Sequence, residues 1–303
     1  MANITYFDAY NSAETALTSN SLGLIVASDS SHIVIQYNAG AIDTFSGSFT
    51  YGANNAVFGV LTSVQETFMG APSFTITGLS LSATPVANAI LTGDNTTIVN
   101  TVFGGDDSIT GSATGEPIEA GPGNDVVIAL DGNDSIDGGA GNYDINGNKG
   151  EDFVFGGAGA DTVRGGQGDD SVFGGDGDDG HVNGNIGDDS VSGGNGADTV
   201  YGGQGNDTIS GDAGDDLLSG DLGNDIMYGG AGADRFTIAK GGGFDWVADF
   251  HASEGDKIQL APGTTYVVTS IGGQVVIDLG NGDELGLAGI PAGSFSSDWI
   301  VFG

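Results

Sequence analysis

Cysteine is absent from the 303 residues, so the chain forms no disulfides and offers no thiolate ligands to a metal. Basic residues are scarce as well: five Lys and Arg stand against 41 Asp and Glu, and the formal net charge is −36. Nucleic acids bind to clustered Lys and Arg, so this composition argues against a nucleic-acid partner. The 3 histidines are too scattered to predict a zinc site. Without disulfides, bound metal of another kind is one way to stabilise such a chain.

Segments and motifs that mark other protein classes are also missing. No stretch is apolar for long enough to predict a membrane-spanning helix. The N-terminus, Met1 to Tyr6, lacks the basic and then apolar pattern of a cleavable signal peptide. Neither H-E-x-x-H nor G-x-S-x-G occurs, which argues against a zinc protease and against the usual kind of lipase. We interpret His32 and His251 as structural residues, and the sequence predicts no catalytic residue and no enzyme.

Glycine, in contrast, is abundant, and from Gly104 to Thr237 it recurs with a period of nine residues. The unit is G-G-x-G-x-D-x-U-x, where U is a large aliphatic residue, and Gly156 to Arg164 is a clean copy. Position six is occupied, in order, by Asp107, Glu116, Asp125, Asp134, Tyr143, Asp152, Asp161, Asp170, Asp179, Asp189, Asp198, Asp207, Asp216, Asp225 and Asp234. The U residue two places later is apolar in every unit but one, and that unit contains an extra residue. There U falls on His181, and we expect its neighbour Val182 to take the inward place.

This period predicts a parallel coil. Six residues, G-G-x-G-x-D, form a turn and three form a short strand, in which only U points inward because strand side chains alternate between faces. Two nonapeptides complete one turn of a flattened, right-handed coil, so residues two units apart stack on each other as neighbouring parallel strands. Glycine permits the positive φ and the close backbone approach that the turns need. The extra residue near His181 and Val182 should form a bulge in one turn.

Stacking brings the position-six carboxylates together, and this predicts a metal. Like charges about 5 Å apart repel by roughly 1 kcal/mol in water and by more when they are desolvated. The core gains only one aliphatic side chain per unit, while glycine-rich backbone is costly to order. We therefore expect the metal-free repeat to be unfolded or nearly so. Ca²⁺ accepts carboxylate and carbonyl oxygens in flexible geometry, which suits these turns better than the strict octahedron of Mg²⁺.

The aspartates at position six are the predicted calcium ligands, and we name them the aspartate column. Its members are Asp107, Asp125, Asp134, Asp152, Asp161, Asp170, Asp179, Asp189, Asp198, Asp207, Asp216, Asp225 and Asp234. One ion for each stacked pair of these residues gives roughly ten calcium ions. Tyr143 is expected to interrupt one edge of the coil, and Glu116 leaves no clear site beside it.

The regions on either side of the repeats are predicted to be β-structure too. Strand-like runs rich in Val, Phe, Thr and Ile occur at residues 22–27, 32–37, 44–51, 56–64 and 73–82. They predict a β-sandwich-like domain over residues 1–100. Its surface is poor in charge, which leaves two interpretations open: a plain cap over the first coil, or a self-assembly module. Residues 238–303 are predicted to form a β cap with a hairpin of strands 274–279 and 284–290.

The repeat period, the segments D-x-V-x-D-F and G-D-x-I-x-L after Thr237, and the ending Asp298-Trp299-Ile300-Val301-Phe302 together resemble RTX (repeats-in-toxin) proteins exported by type I secretion. The resemblance implies an all-β chain in which a right-handed parallel β-roll, residues 101–237, binds calcium. It implies that the cap, residues 238–303, carries an uncleaved secretion signal. It further implies an extracellular or cell-surface protein whose weak sites, with Kd about 10⁻⁴–10⁻³ M, stay empty in the cytoplasm, so that the chain folds outside the cell.

A complete roll in a sequence without a catalytic motif favours a structural or adhesive function. We expect a secreted calcium-binding protein that assembles at the cell surface or in the extracellular matrix, as an S-layer, biofilm matrix or filament. Its partners would be calcium, other copies of itself and the type I secretion machinery, with cell-surface polysaccharide as a further candidate. The alternatives are a calcium-dependent adhesin or carbohydrate-binding protein, or an accessory module of a secreted enzyme. An ice-binding repeat is disfavoured, because position three carries no regular Thr or Asn ladder.

Overall fold

The computed structural model describes residues 106–303 except 112, 114, 116 and 281, and it also gives strand segments between residues 3 and 82. Glu116 and the side chain of His32 therefore lie outside the described residues. Within the described part the chain is built from strands, with two short 3₁₀ turns at Ala292–Ser294 and Ser297–Trp299. That part contains no helix with the length and apolar character needed to cross a lipid bilayer.

The first strands form an antiparallel series. They are β1 (Asn3–Ala9), β2 (Ser12–Thr18), β3 (Leu24–Ser28), β4 (His32–Gln36), β5 (Ala41–Tyr51), β6 (Val57–Phe68) and β7 (Ala71–Ser82). Each pairs with the next along the chain, and β3 to β7 coincide with the strand-like runs of the sequence. The all-β prediction is thereby confirmed for this region. Its sandwich-like packing depends on side chains outside the described residues and stays a prediction.

The repeats form the predicted parallel coil. Their strands are β8 (Ser108–Thr110), β9 (Pro117–Glu119), β10 (Val126–Ile128), β11 (Ser135–Ala140), β12 (Asp144–Lys149), β13 (Phe153–Ala158), β14 (Thr162–Gln167), β15 (Ser171–Asp176), β16 (His181–Ile186), β17 (Ser190–Asn195), β18 (Thr199–Gln204), β19 (Thr208–Ala213), β20 (Leu217–Leu222), β21 (Ile226–Ala231) and β22 (Arg235–Thr237). Even-numbered strands stack in one sheet and odd-numbered strands in the other, each parallel to the strand two places on. β7 joins the first of these sheets through antiparallel pairing with β8. Two units therefore complete one turn, as the period predicts.

The strands are longer than the sequence predicts. Most full units form six-residue strands with the pattern x-U-x-G-G-x, so that only G-x-D is left for the turn. In β14 the pairing with β16 runs from Thr162 opposite His181 to Gln167 opposite Ile186. The second glycine makes this extension possible, because Gly166 adopts φ +130°, bends the backbone and lets it resume pairing with the next turn. The predicted six-residue turn and three-residue strand are corrected accordingly.

The U residues form one continuous buried column. Its members are Ile109, Ile118, Val127, Ile136, Ile145, Val154, Val163, Val172, Val182, Val191, Val200, Ile209, Leu218, Met227 and Phe236. Val182 is buried and His181 is half-exposed, which confirms the predicted exchange in the irregular unit. The extra residue is Gly180, which lies in a bend before β16 rather than within the strand. A Cβ on Gly180 would meet no atom within 4 Å, so the turn absorbs the insertion without disturbing the core.

The C-terminal region first extends the roll by further strands and then closes its end. Its strands are β23 (Phe244–Val247), β24 (Lys257–Leu260), β25 (Val267–Ile271), β26 (Gln274–Gly280), β27 (Asp283–Pro291) and β28 (Ile300–Phe302). β23 stacks on β21 and β24 on β22, so both sheets extend beyond Thr237, where the sequence period ends. β27 and β28 then add one more parallel layer each. The predicted hairpin is confirmed as β26 and β27, which pair antiparallel.

Candidate metal centres

The aspartate column is buried along both edges of the roll, with each side chain between 0% and 7% exposed. One carboxylate oxygen, Oδ1, accepts the backbone N–H of the position-six residue one turn earlier. Asp161 N–H donates to Asp179 Oδ1 at 2.8 Å, and Asp179 N–H donates to Asp198 Oδ1 at 2.8 Å. All stacked pairs that the sequence predicts make this bond, at 2.8–3.1 Å. The structure therefore brings the predicted ligand residues together in the predicted pairs.

The other carboxylate oxygen, Oδ2, is left without a hydrogen bond in most of the column. This holds, within the described part of the chain, for Asp107, Asp125, Asp152, Asp161, Asp170, Asp179, Asp189, Asp198, Asp207, Asp216, Asp225 and Asp234. A buried, charged oxygen without a partner is costly, and a folded protein tolerates it only where something else compensates the charge. A repeated array of such oxygens fits a repeated cation.

From Asp152 to Asp234, the surroundings of Oδ2 form a cradle that a glycine at position one leaves open. A Cβ on Gly174 would lie 2.2 Å from Asp179 Oδ2 and 2.5 Å from the carbonyl oxygen of Gly193 in the next turn. Gly156 has the same surroundings, with Asp161 Oδ2 at 2.8 Å from such a Cβ. Carboxylate and carbonyl oxygens thus converge between turns, and this is the donor set that Ca²⁺ prefers. The described residues hold no cluster of three or more ligating side chains. A cation held between turns would take its remaining oxygens from carbonyls such as that of Gly193.

Burial also makes the carboxylates resist ionisation. Loss of hydration, aided by the charges of stacked aspartates and opposed by the backbone hydrogen bond, raises the pKa of Asp170, Asp207 and Asp216 from 3.8 to about 7. The same cause raises the pKa of Asp189 and Asp234 to about 6. A neighbouring cation reverses this effect because it favours the charged form of each carboxyl group.

Tyr143 occupies position six in one unit, so a phenol ring stands there in place of an aspartate carboxylate. It is 3% exposed, and its N–H donates to Asp161 Oδ1 at 2.8 Å, but it has no carboxylate to accept the N–H of Asp125 in turn. Its hydroxyl donates to the carbonyl oxygen of Gly121, one turn away. Burial raises the pKa of Tyr143 to about 12, which keeps the phenol neutral. The interruption of this edge for calcium stays a prediction.

An outer ladder of position-five side chains was missed in the sequence. Asn124 Oδ1 accepts the N–H of Asn142, and Asn142 Oδ1 accepts the N–H of Ala160, both at 2.9 Å. Farther along the roll, Asp188 Oδ1 accepts the N–H of Asn206 at 2.7 Å. Asn and Asp commonly bond to nearby backbone in turns, so their frequency at position five was the available signal. These exposed bonds join neighbouring loops without metal.

Two further aspartates, which the sequence did not predict as ligands, extend the column into the cap. Asp245 Oδ1 accepts the N–H of Asp225 at 3.0 Å, and Asp256 Oδ1 accepts the N–H of Asp234 at 3.1 Å. Both are buried, and each precedes a buried apolar residue by two places, as position six precedes U. This D-x-U spacing was the available signal, although the glycines before it are incomplete. His251, interpreted as structural, donates its backbone N–H to Asp256 Oδ2 at 2.6 Å.

Comparison with known proteins agrees with this geometry. Four segments match the family of RTX calcium-binding nonapeptide repeats, namely residues 110–145, 146–180, 181–209 and 201–236. Among solved structures, the chain is similar to the AlgE6R3 subunit of the Azotobacter vinelandii mannuronan C5-epimerase, with 29% identity and a TM-score of 0.31 over 38% of this chain and 78% of that one. It is also similar to the extracellular lipase LipA from Serratia marcescens, with 19% identity and a TM-score of 0.27 over 60% of this chain and 40% of the lipase. No curated protein matches the chain.

These overall likenesses are low, and no function of this chain follows from them. The family match is different, because it falls on the same residues as the parallel coil and the buried aspartates. The nonapeptide repeats of that family bind Ca²⁺. Residues 110–236 of this chain are therefore RTX calcium-binding nonapeptide repeats, folded as a parallel β-roll.

Proposed function

We propose that the aspartate column binds calcium between successive turns and that the roll folds when it does so. The observation that carries this proposal is the array of buried Oδ2 atoms without hydrogen bonds, which from Asp152 to Asp234 each lie beside a glycine at position one. One ion for each stacked aspartate pair gives roughly ten ions. The two spaces next to Tyr143 would remain without an ion, because Tyr143 brings no carboxylate to them and its hydroxyl already bonds to the carbonyl oxygen of Gly121.

Removal of a single ligand charge tests the proposal. Asp179 pairs with Asp161 on one side and with Asp198 on the other. In Asp179→Asn the amide oxygen can still accept the N–H of Asp161, but the negative charge is lost. We expect the variant to bind about two fewer calcium ions and to need more calcium to fold, because carboxylates are the charged ligands of such sites. Equilibrium dialysis counts the ions, and circular dichroism follows folding during a calcium titration.

The neighbouring residue provides a matched control. Asp178 is exposed, and its Oδ1 accepts the N–H of Ala197 at 2.9 Å, a bond that an asparagine also makes. Asp178→Asn removes the same charge one residue away and should leave both the ion count and the calcium midpoint close to those of the original protein. If Asp179→Asn and Asp178→Asn behave alike, the column does not bind the ions.

We further propose that the protein is secreted and serves as a structural component of a surface layer, matrix or filament. Three observations support this: the calcium-binding roll, the strongly acidic composition, and an N-terminal β region with few charges. No catalytic motif was found in the sequence. Electron microscopy of the purified chain with millimolar Ca²⁺ should show sheets or fibres. Monodisperse particles at high protein concentration would contradict assembly.

A ligand-binding adhesin is the second candidate, and one surface feature favours it. An open groove of about 500 Å³ runs along the outer face of the odd-numbered sheet. Its lining includes the aromatic residues Phe155 and Phe173 together with Asp176, Asn195 and Gly175. Aromatic faces beside a few polar groups are common in ligand sites. Glycan-array binding by a protein that does not assemble would favour this function.

A further inference from the structure

We propose that the free edge of β25 is a contact between two copies of this chain, in which the two β25 strands pair antiparallel across a two-fold axis at Thr269. The inference rests on the proposed assembly of the protein and names one of the contacts that an assembly needs. β25, Val267–Ile271, is the outermost strand of the sheet that holds the odd-numbered strands of the roll. Within the described residues only β26 pairs with it, so its other side is open.

The turn that joins β25 to β26 fixes the direction of the backbone groups. Gly272 and Gly273 form a two-residue loop with φ +61° and +82°, and two positive φ values identify a type I′ hairpin. The residues that close such a loop, here Ile271 and Gln274, exchange both backbone hydrogen bonds. Along antiparallel strands, hydrogen-bonded pairs alternate with pairs that are not bonded. Every second residue of β25 therefore directs its N–H and C=O groups away from β26.

The outward groups belong to Val268 and Ser270, because Thr269 and Ile271 lie in the hydrogen-bonded pairs with β26. A sheet edge with free donors and acceptors is a template for another strand. A second β25 strand, related by a two-fold axis at Thr269, matches this edge. Val268 of each copy then faces Ser270 of the other, and each such pair can exchange both backbone hydrogen bonds.

The side chains of β25 are self-complementary in the same arrangement. Val267 is 62% exposed and Ile271 is 47% exposed, and the two-fold axis places Val267 of each copy opposite Ile271 of the other. Thr269, also exposed, lies opposite Thr269 of the second copy. Contact between the apolar side chains and a Thr–Thr pair both stabilise neighbouring strands. A contact between identical surfaces requires this self-complementarity, so the strand fits a second copy of the chain.

The distribution of charge also favours a second copy at this place. No Asp, Glu, Lys or Arg occurs from residue 258 to residue 277. The two edges of the roll instead carry exposed carboxylates, such as Asp178 on one and Asp188 on the other, so rolls that approach edge to edge repel each other. β25 contains no lysine or proline, and its pairing shows no bulge, although sheet proteins commonly block free edges with these features.

A disulfide trap tests the contact, because a strand of 5 residues makes a small and therefore weak interface. The chain has no cysteine of its own. In the proposed pairing the two Thr269 Cα atoms lie about 4.5 Å apart, a separation that a disulfide spans. With Ca²⁺ and air oxidation, full-length Thr269→Cys should form a covalent dimer about tenfold faster than Thr208→Cys, because the contact raises the local thiol concentration.

Thr208 is a matched control position. It is exposed like Thr269 and belongs to β19, in the interior of the same sheet rather than at its edge. Equal rates of dimer formation for the two cysteine variants would overturn the β25 contact.

A charge at the same position provides an independent measurement. Thr269→Lys places two like charges opposite each other at the two-fold axis, which is unfavourable between neighbouring strands. We expect it to weaken the self-association of the calcium-loaded full chain, measured by sedimentation equilibrium, about tenfold. Thr208→Lys should leave self-association unchanged, and circular dichroism checks that both variants fold. Unchanged association of Thr269→Lys would contradict the contact.

Electron microscopy separates this inference from the proposed function. A two-fold contact closes on itself, so sheets or fibres also need a second kind of contact elsewhere on the chain. Rapid cross-linking of Thr269→Cys without sheets or fibres of the original protein would support the β25 contact and contradict the proposed assembly. Sheets or fibres of the original protein, together with slow cross-linking of Thr269→Cys, would refute the β25 contact and leave the proposed assembly intact.

Discussion

Chelation of calcium with EDTA is expected to abolish most of the β-sheet signal that the repeats contribute to far-ultraviolet circular dichroism, and millimolar Ca²⁺ is expected to restore it. The buried Oδ2 atoms of the aspartate column have no hydrogen bonds to compensate their charge. Each unit adds one U residue to the core, while its glycines are costly to order. Without the ion, these terms favour the unfolded chain. A calcium titration of EDTA-treated protein, followed at one wavelength, measures the transition.

Acid should partly replace calcium in the EDTA-treated protein. In the folded roll the pKa of Asp170, Asp207 and Asp216 is raised to about 7 from 3.8, so the folded state binds protons more tightly than the unfolded state. The stability linked to these protons is therefore fully present below about pH 4 and is lost as the pH rises through about 7. Calcium-free protein should show more β signal at pH 5 than at pH 8.

Two outcomes would contradict this account. A spectrum that is unchanged by EDTA at pH 8 would show that the roll needs no metal. Equal recovery with Mg²⁺ and with Ca²⁺ would show that the sites do not depend on the flexible coordination of calcium, because Mg²⁺ requires near-octahedral geometry and retains its waters.

Gly177→Ala is expected to be strongly destabilising. Gly177 has φ +133°, a conformation that alanine adopts only with strain, at a cost of about 1–3 kcal/mol. A Cβ there would also lie 1.8 Å from the carbonyl oxygen of Gly159 in the preceding turn. Overpacking against rigid backbone costs about 1–3 kcal/mol more. The variant should need a higher calcium concentration to fold, and guanidinium unfolding at fixed calcium measures the loss in free energy.

Gly180→Ala is the matched control for this substitution. It lies three residues later in the same irregular unit, and a Cβ there would meet no atom within 4 Å. Its free energy of unfolding should stay within about 0.5 kcal/mol of the original value. If the two alanine variants were equally stable, the close contact between successive loops would not exist in solution.

Much of the roll was determined by the sequence itself. The nine-residue period placed the U column in the core, and Val182 beside the irregular His181 was identified from register alone. The stacked aspartate pairs followed from the same period, because a coil of two units per turn leaves no other partner for Asp161 than Asp179. The hairpin of β26 and β27 was also predicted, since turn residues separate two strand-like runs.

Contacts between turns decided the features that the sequence did not predict, namely the strand length, the roles of the two carboxylate oxygens and the end of the aspartate column. Strand length was mispredicted because the pairing of the G-G-x segment exists only when the next turn lies against it, as at Gly166. The roles of the two carboxylate oxygens are equally invisible in a single unit: Oδ1 is held by the N–H of a residue in another turn, and only then is Oδ2 left for a cation. The nine-residue period does not identify Asp245 and Asp256, because they lie 20 and 22 residues after Asp225 and Asp234, whereas most stacked pairs are 18 residues apart. Composition and spacing therefore predicted a coil that needs metal, whereas stacking in three dimensions decided which carboxylate oxygens are left without a hydrogen bond and where the stack ends.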